Sequence, residues 1–190
     1  MSDVSPAAPA RRVLTGKRAE TVQRLADAAV ETLRAVGYDE LTLPSVAMQA
    51  GVARATAYTY YSSREHLVAE VYWRRLTSGS PADADSPQVA VRVVGVLRYL
   101  ALVVADEPAL GHAIAVALNS PDPDVKLLRE ETSRYIHKLI AAAVGSDGDA
   151  KTVLLLELLF TGAIVRAGSG EVAYTDIADL LEELVLDQLS

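Results

Sequence analysis

The sequence predicts an all-α protein, and three observations support this prediction. Apolar residues recur at the spacing of one helix face over most of the chain. No stretch alternates between apolar and polar residues as a half-buried strand would. The apolar segments are separated by proline or glycine, the residues that most often interrupt helices. We expect about nine helices, divided between a small three-helix front domain and a larger helical domain.

Composition limits the class of protein. Of the 190 residues, 51% are hydrophobic and 23% are charged, which is typical of a globular chain rather than a disordered one. Cysteine is absent, so disulfides, thiolate metal sites and cysteine nucleophiles are excluded. The most apolar run, residues 153–165, is shorter than the roughly 20 residues that a membrane span needs. The start lacks the apolar core of a signal peptide, and we therefore expect a cytoplasmic protein with no membrane partner.

Charge is distributed unevenly along the chain. The net charge of −7 divides into +2 for residues 1–76 and −9 for residues 77–190. A basic front on an acidic body is typical of a phosphate-binding module joined to a regulatory domain.

The first helix is predicted from about Lys17. It follows an arm at residues 1–16, whose alanine, proline and serine content predicts flexibility. The apolar stripe of this helix consists of Val22, Leu25, Ala26, Ala29, Leu33 and Val36. Gly37 follows, at a position where a left-handed C-terminal cap favours glycine.

Residues 42–61 predict two short helices joined by a tight turn. Thr42 is suited to cap the first of them, and Pro44 is tolerated in its first turn. Gly51 permits a sharp turn, and the second short helix is expected over residues 54–60. Helix, glycine turn and helix within about twenty residues are the outline of a helix-turn-helix, here inside a front domain at residues 17–77.

The rest of the chain continues as helices. Ser62 and Glu65 match a capping box that begins a longer helix ending near residue 77. Residues 78–87 have the composition of a linker. Further helices are predicted in a domain at residues 88–190, over 88–105, 109–118, 124–144, 150–167 and 175–188.

The order of these features resembles the TetR family of bacterial transcription regulators. Four motifs carry the resemblance, namely Gly37-Tyr38, Ala50-Gly51-Val52, Thr56-Ala57-Tyr58 and the segment 61–67, which reads YSSREHL. The resemblance implies a dimeric, sequence-specific DNA-binding regulator without enzymatic activity or cofactor. It also implies double-stranded operator DNA, usually palindromic, as a partner, and release from DNA by a small-molecule effector of unknown identity.

The predicted DNA-binding surface centres on the second short helix. The resemblance places Tyr58 against a DNA phosphate and Tyr61 in the core beneath the helix. Arg54 is suited to read guanine as a bidentate donor, with a phosphate contact as the alternative. The full set of predicted DNA contacts is Thr42, Arg54, Ala55, Thr56, Tyr58, Thr59, Tyr60 and Arg64.

The other members of this set have simpler expected roles. Methyl groups of Ala55 and Thr56 suit thymine methyls, and Thr56 also suits a phosphate. Thr42 and Arg64 suit phosphates because free N–H groups point outward at helix N-termini. Thr59 and Tyr60 are expected near the groove or the DNA backbone. Four cations extend this footprint or form a solvated tail, namely Arg11, Arg12, Lys17 and Arg18.

Two further sites are expected in the acidic half. The helices over 150–167 and 175–188 are apolar on more than one face, which predicts that a second copy covers the excess. The expected dimer residues are Leu155, Leu159, Ile177, Leu181 and Leu184. Polar residues within apolar helices are the candidates for an effector pocket, with surface, dimer or salt-bridge roles as alternatives. The candidates are Tyr99, His112, Asn119, Tyr135, Glu157 and Arg166.

Three alternatives to a ligand-responsive repressor stay open at this level. One is a DNA-binding regulator with a protein partner or no effector. Another is a helical enzyme, which the lack of metal-ligand spacing, of a glycine-rich phosphate loop and of a nucleophile-histidine-acid arrangement disfavours. The third is a helical interaction module that does not bind DNA. A steep loss of affinity with salt would distinguish a phosphate-binding protein from the last two classes.

Overall fold

The computed structural model describes residues 16–189 and confirms the all-α prediction for that part of the chain. Arg11, Arg12 and nearly all of the expected arm lie outside the described residues. The nine α-helices of this part are α1 Lys17–Val36, α2 Leu43–Gln49, α3 Arg54–Tyr60, α4 Arg64–Ser78, α5 Val89–Leu102, α6 Pro108–Ala117, α7 Pro123–Val144, α8 Ala150–Gly168 and α9 Tyr174–Leu189. A short 3₁₀ turn at Gly145–Asp147 separates α7 from α8.

The local signals of the front segment act as predicted. Helix α1 ends at Gly37, whose φ of 75° lies in the left-handed region and whose N–H donates to the Leu33 carbonyl. Thr42 caps α2 because its hydroxyl accepts the Ser45 N–H at 3.1 Å. Gly51, with a φ of 64°, turns the chain between α2 and α3. The two short helices and the glycine turn between them therefore follow one another in the predicted order.

The cap of α4 differs from the prediction by one residue. Ser63, not Ser62, is the N-cap, because its backbone is extended and its hydroxyl accepts the His66 N–H at 3.0 Å. Glu65 does not reach back to the cap, since its carboxylate binds the Arg64 guanidinium and the Tyr38 hydroxyl. The hydroxyl of Ser62 donates instead to Asp122, at the N-terminus of α7. A long-range partner thus selects between two adjacent serines.

The second half of the chain packs on α4 as well as on itself. Helix α5 lies between α9 and α7, while α4 packs against α6 and α7. One buried hydrophobic cluster runs from Val22 in α1 to Val185 in α9. The linker after α4 also lies on α5, where a Cβ at Gly95 would come within 2.3 Å of the Ala82 carbonyl oxygen. The front segment and the larger helical segment therefore share a continuous core.

Two of the five residues predicted for the dimer interface are buried within their own chain. Ile177 and Leu181 are 2% and 1% exposed because α9 places them against its own chain, so neither is available to a partner. Leu155 and Leu184 are exposed, and Leu159 is half-buried. The exposed large apolar residues of the two helices, called the α8–α9 face below, are Leu154, Leu155, Leu158, Val165, Leu180, Leu184 and Leu186. Within residues 16–189, no helix combines the length and apolar character that crossing a membrane requires.

Candidate functional site

Helix α3 presents a short polar face to solvent. Ala57 and Tyr61 anchor the helix in the core, with 0% and 2% of their surfaces exposed. Arg54 and Tyr58 lie one turn apart on the opposite side, and the guanidinium carbon of Arg54 is 5.7 Å from the centroid of the Tyr58 ring. Tyr58 is 49% exposed. The helix therefore carries a guanidinium and a phenol side by side on its free surface, which are groups that suit bases and phosphates.

The neighbouring side chains of the predicted set fall into two groups. Ala55 and Thr42 are exposed, although the Thr42 hydroxyl already takes part in the capping box with Ser45. Thr59 is exposed too, and its hydroxyl donates to the Ala55 carbonyl at 3.0 Å. Thr56 is half-buried, and Tyr60 packs partly against the core. Arg54, Ala55 and Tyr58 thus form the part of the predicted set whose side chains face outward and make no internal hydrogen bond in the described structure.

Arg64, which the sequence predicts to contact a phosphate, makes several contacts inside the protein. Its Nη1 donates to three carbonyls of the loop between α1 and α2, those of Tyr38 at 2.9 Å, Asp39 at 3.0 Å and Leu41 at 3.2 Å. Its Nε donates to Glu65 at 3.0 Å, and its guanidinium carbon lies 4.5 Å from the centroid of the Tyr38 ring. Burial, followed by the nearby Glu65 carboxylate, raises the pKa of Tyr38 to about 12. Through these hydrogen bonds the Arg64 guanidinium holds the loop between α1 and α2 onto α4.

A second candidate site is an apolar cavity of about 350 Å³ in the larger helical segment. Helices α5, α6 and α8 supply apolar walls that include Leu100, Ile114 and Phe160. The polar or charged residues that line it are Tyr72, Asn119, Arg129, Thr132, Ser133, Thr161 and Tyr174. Its volume and its few polar groups in an apolar wall are typical of a small-molecule site.

Of the six pocket residues predicted from the sequence, only Asn119 lines this cavity. Three of the others are paired elsewhere, because Tyr99 donates to the Leu76 carbonyl, Glu157 pairs with His137, and Arg166 pairs with Glu171. Tyr135 stacks edge-on against Trp73. His112 is exposed on α6, beside a separate shallow groove. These five side chains therefore line no part of this cavity, although Tyr99 and His112 line separate grooves.

Thr132 is the cavity residue that the sequence could have revealed. Thr132 lies four residues after Leu128 and four residues before Ile136, so the helical period places it with them on the inner face of α7. The side chain is buried, and its hydroxyl has no hydrogen-bond partner among the described residues. Because a buried unsatisfied hydroxyl is costly, an orphan hydroxyl in a cavity wall indicates a place for a ligand polar group or water.

Two tyrosines, Tyr72 and Tyr174, line the cavity. Burial raises the pKa of both Tyr72 and Tyr174, so each presents a neutral hydroxyl at physiological pH. Tyr174 reaches its position only because residue 111 is glycine, since a Cβ there would lie 2.5 Å from the Tyr174 hydroxyl oxygen. These two tyrosines therefore offer hydrogen-bond groups but no charge.

Helix α4 is attached to the first turns of two helices that line the cavity. Glu107, at the N-cap of α6, binds Arg34 and lies 3.8 Å from Arg75. Asp122, at the N-cap of α7, accepts hydrogen bonds from Ser62 and Ser63. Burial alone would raise the pKa of Asp122, but the hydrogen bonds from Ser63, the Asp124 backbone and Ser62 outweigh it and lower that pKa. Both attachments join the front segment to cavity helices.

Residues 16–189 contain no cluster of three His, Cys, Asp or Glu side chains that could hold a metal ion.

Comparison with known proteins shows what the chain is similar to. A family model described as bacterial regulatory proteins, tetR family, matches residues 25–71. An HTH-type transcriptional regulator of Mycobacterium tuberculosis, itself named uncharacterized, is 44% identical over 197 residues, which cover 97% of this chain and 92% of the relative. A regulator of Mycobacterium bovis with the same description matches to the same extent.

Solved structures show the same fold. A TetR transcriptional regulator from a Rhodococcus species matches with a TM-score of 0.69 and 22% identity, covering 92% of this chain and 100% of that one. FadR from Bacillus subtilis, solved in complex with stearoyl-CoA, matches with a TM-score of 0.64 and 15% identity, covering 86% of this chain and 96% of that one.

Proposed function

Because the chain belongs to the TetR family of bacterial transcriptional regulators, we propose that it is a dimeric repressor which a small molecule releases from a palindromic operator. Family membership makes it a DNA-binding regulator rather than an enzyme. The observation that carries the finer proposal is the attachment of α4 to the cavity helices through Asp122 and Glu107.

The DNA-reading part of the proposal rests on α3. Arg54 lies at the N-terminus of the helix and is exposed, so it suits the O6 and N7 atoms of a guanine in the major groove. Tyr58 stands beside it and donates to a phosphate, which adds affinity without a charge. Ala55 supports both with a small apolar contact to a thymine methyl. Lys17 and Arg18 are exposed at the start of α1 and extend the phosphate footprint.

The dimer part of the proposal rests on the α8–α9 face. Leu155, Leu158 and Val165 are 56%, 60% and 63% exposed, and their spacing places them on one side of α8. Exposed apolar side chains grouped in this way on a monomer favour an interface. A two-fold pairing of this face places two copies of α3 on one DNA. Two recognition helices then read two half-sites about one helical turn, or a multiple of it, apart.

Release by a ligand follows from how the front segment is held. The hydroxyls of Ser62 and Ser63, just before α4, bind Asp122 at the start of α7, and α7 lines the cavity farther along. A ligand that binds one position of α7 better than another thereby biases the position of α4 and of the recognition helix. FadR from Bacillus subtilis, which shares the fold, holds stearoyl-CoA, and this supports a ligand role for the larger helical segment.

The first test is selection of genomic DNA fragments by the purified full-length protein at moderate salt. We expect enrichment of a palindrome whose half-sites match the spacing of two recognition helices. A folded dimer that enriches no sequence would contradict the assignment of α3 as an operator reader. Operator binding that no compound relieves would support the alternative of an effector-independent or protein-partnered regulator.

A substitution at Arg54 tests the reading role directly. Arg54→Ala should weaken binding to the selected operator and relax preference at one position per half-site by about 1–3 kcal/mol. Arg134→Ala, which removes an exposed arginine on α7, is the matched control and should leave the preference unchanged. A sequence preference identical to that of the wild type would leave Arg54 with a phosphate contact only.

A further inference from the structure

We propose that the cavity binds an amphiphilic monocarboxylate, with its carboxylate at Arg129 and its apolar chain against α5, α6 and α8. This inference rests on the proposed function, since it names the chemical class of the effector. It goes further because neither the family nor the fold specifies that class.

The charge of the cavity wall selects for an anion. Among the described residues that line the cavity, Arg129 is the only one with a charged side chain. Its Nη1 donates to the Leu118 carbonyl at 2.6 Å, at the end of α6. Within the described residues it forms no ion pair with a carboxylate, so its remaining donors face no internal counter-charge. A guanidinium without a counter-charge binds a planar carboxylate through paired, charge-assisted hydrogen bonds.

The position of Arg129 on α7 places two hydroxyl donors beside it. Thr132 and Ser133 follow by three and four residues, so all three side chains lie on one face of the helix. All three line the cavity, and the Thr132 hydroxyl is the buried one without a partner in the described structure. A carboxylate accepts several hydrogen bonds and donates none, which matches a wall composed of donors.

The rest of the wall selects for an apolar body. Leu100, Ile114, Phe160 and Ile164 face the cavity and have no polar atoms in their side chains. Tyr72 and Tyr174 are neutral, so a second charge on the ligand would be buried without a partner. At about 350 Å³ the cavity lies near the lower end of the usual range for ligand sites, which suits a single chain or ring system.

Other classes of ligand fit the cavity wall less well. A cationic amphiphile would meet Arg129 without any carboxylate to offset the repulsion. A plain hydrocarbon would leave the Thr132 hydroxyl unsatisfied. The proposal therefore predicts a ranking of ligands by head group as well as by chain length.

The test uses sodium decanoate, sodium octanoate, 1-decanol and decylamine as probes of the full-length dimer. Binding is measured by calorimetry and by the fluorescence of Trp73, the single tryptophan, which packs against Tyr135 of α7. We expect decanoate to bind at least tenfold more tightly than decanol and decylamine. Each lost methylene should weaken binding by about fourfold, so octanoate should bind roughly 16-fold more weakly than decanoate.

Two variants locate the head group. Arg129→Gln should remove the preference for decanoate over decanol, while Arg134→Gln, on the exposed face of the same helix, should keep it. Thr132→Val preserves side-chain volume and should weaken decanoate binding while the protein stays as stable as the wild type or becomes more stable. Circular dichroism confirms that each variant is folded before its binding is compared.

The outcomes separate this proposal from the proposed function. Equal binding of decanoate and decylamine, or an unchanged preference in Arg129→Gln, would overturn the monocarboxylate assignment whatever happens at the operator. Binding of decanoate that depends on Arg129 but does not release operator DNA would support the site and refute release by that ligand. Release by a compound of another class, with no binding of carboxylates, would refute the site and leave the repressor proposal intact.

Discussion

Replacing Arg64 with alanine separates a structural arginine from a DNA-binding one. The Arg64 guanidinium binds three carbonyls of the α1–α2 loop and the Glu65 carboxylate, and it lies over the Tyr38 ring. The alanine variant removes all of these contacts together. The loop positions the N-terminus of α2 and hence the helix-turn-helix, so its attachment to α4 affects stability before it affects DNA.

The expected loss of stability can be worked out from the contacts of Arg64. A hydrogen bond that involves a charged group contributes about 1.5–3 kcal/mol, and one nitrogen shared by three carbonyls counts as little more than one strong bond. The arginine–tyrosine contact adds about 0.5–1 kcal/mol at an exposed site. The Arg64 side chain is 32% exposed, and solvent screens the Glu65 pair, which therefore adds less than 1 kcal/mol. We expect Arg64→Ala to lower the free energy of unfolding by about 2–4 kcal/mol.

Urea denaturation measures this loss, and titration of operator DNA at several salt concentrations measures any change in phosphate contacts. Arg64→Lys is the matched control because it keeps the charge but loses the planar fork that reaches several acceptors. The lysine variant should be destabilised as well, and both variants should keep the salt slope of the wild type. The reasoning is refuted if Arg64→Ala keeps its stability within about 0.5 kcal/mol. A salt slope reduced by about 0.9 per lost contact would instead assign Arg64 to a phosphate.

Three further predictions concern other surfaces. Tyr58→Phe should weaken specific and non-specific DNA binding alike. It should leave the free energy of unfolding within about 0.5 kcal/mol of the wild type, because the ring is half exposed. Unchanged DNA affinity in filter binding would refute the phosphate contact. Asp122→Ala should lower the free energy of unfolding by about 1–3 kcal/mol at pH 7. Because folding lowers the pKa of Asp122, the extra stability of the wild type over Asp122→Ala should disappear as pH falls below about 4. Urea denaturation that shows the same stability difference at low pH would refute this linkage. Leu158→Glu should dissociate the dimer in sedimentation experiments while Leu127→Glu, an equally drastic change at an exposed leucine of α7, should not.

The corrected residues show which kind of information the sequence lacks. Ser62 and Ser63 are equally good caps by residue type, and the choice depends on Asp122, which is 59 residues beyond Ser63 in the chain. Ile177 and Leu181 belong to a stripe that suits either a partner or the same chain, and only the position of α5 against α9 decides between them. Polar residues in apolar helices are poor guides to the cavity, because Tyr99 and Glu157 bind partners 23 and 20 residues away that the sequence does not reveal.

The sequence by itself determined the helices, the ends of α1 and α2, and the order of the two short helices around the Gly51 turn. Those features depend on interactions within a few residues, such as the Thr42 cap, the glycines at positions 37 and 51 and the helical period of apolar residues. The burial of Tyr61 is expected from the family resemblance rather than from helical spacing, which places Tyr58 and Tyr61 on the same side, yet Tyr61 is 2% exposed and Tyr58 is 49% exposed. The tertiary structure alone decided that Arg64 holds a loop, that Arg129 and Thr132 share a cavity, and which leucines remain outside. Each of these depends on which distant helix lies opposite, and helical periodicity carries no information about that neighbour.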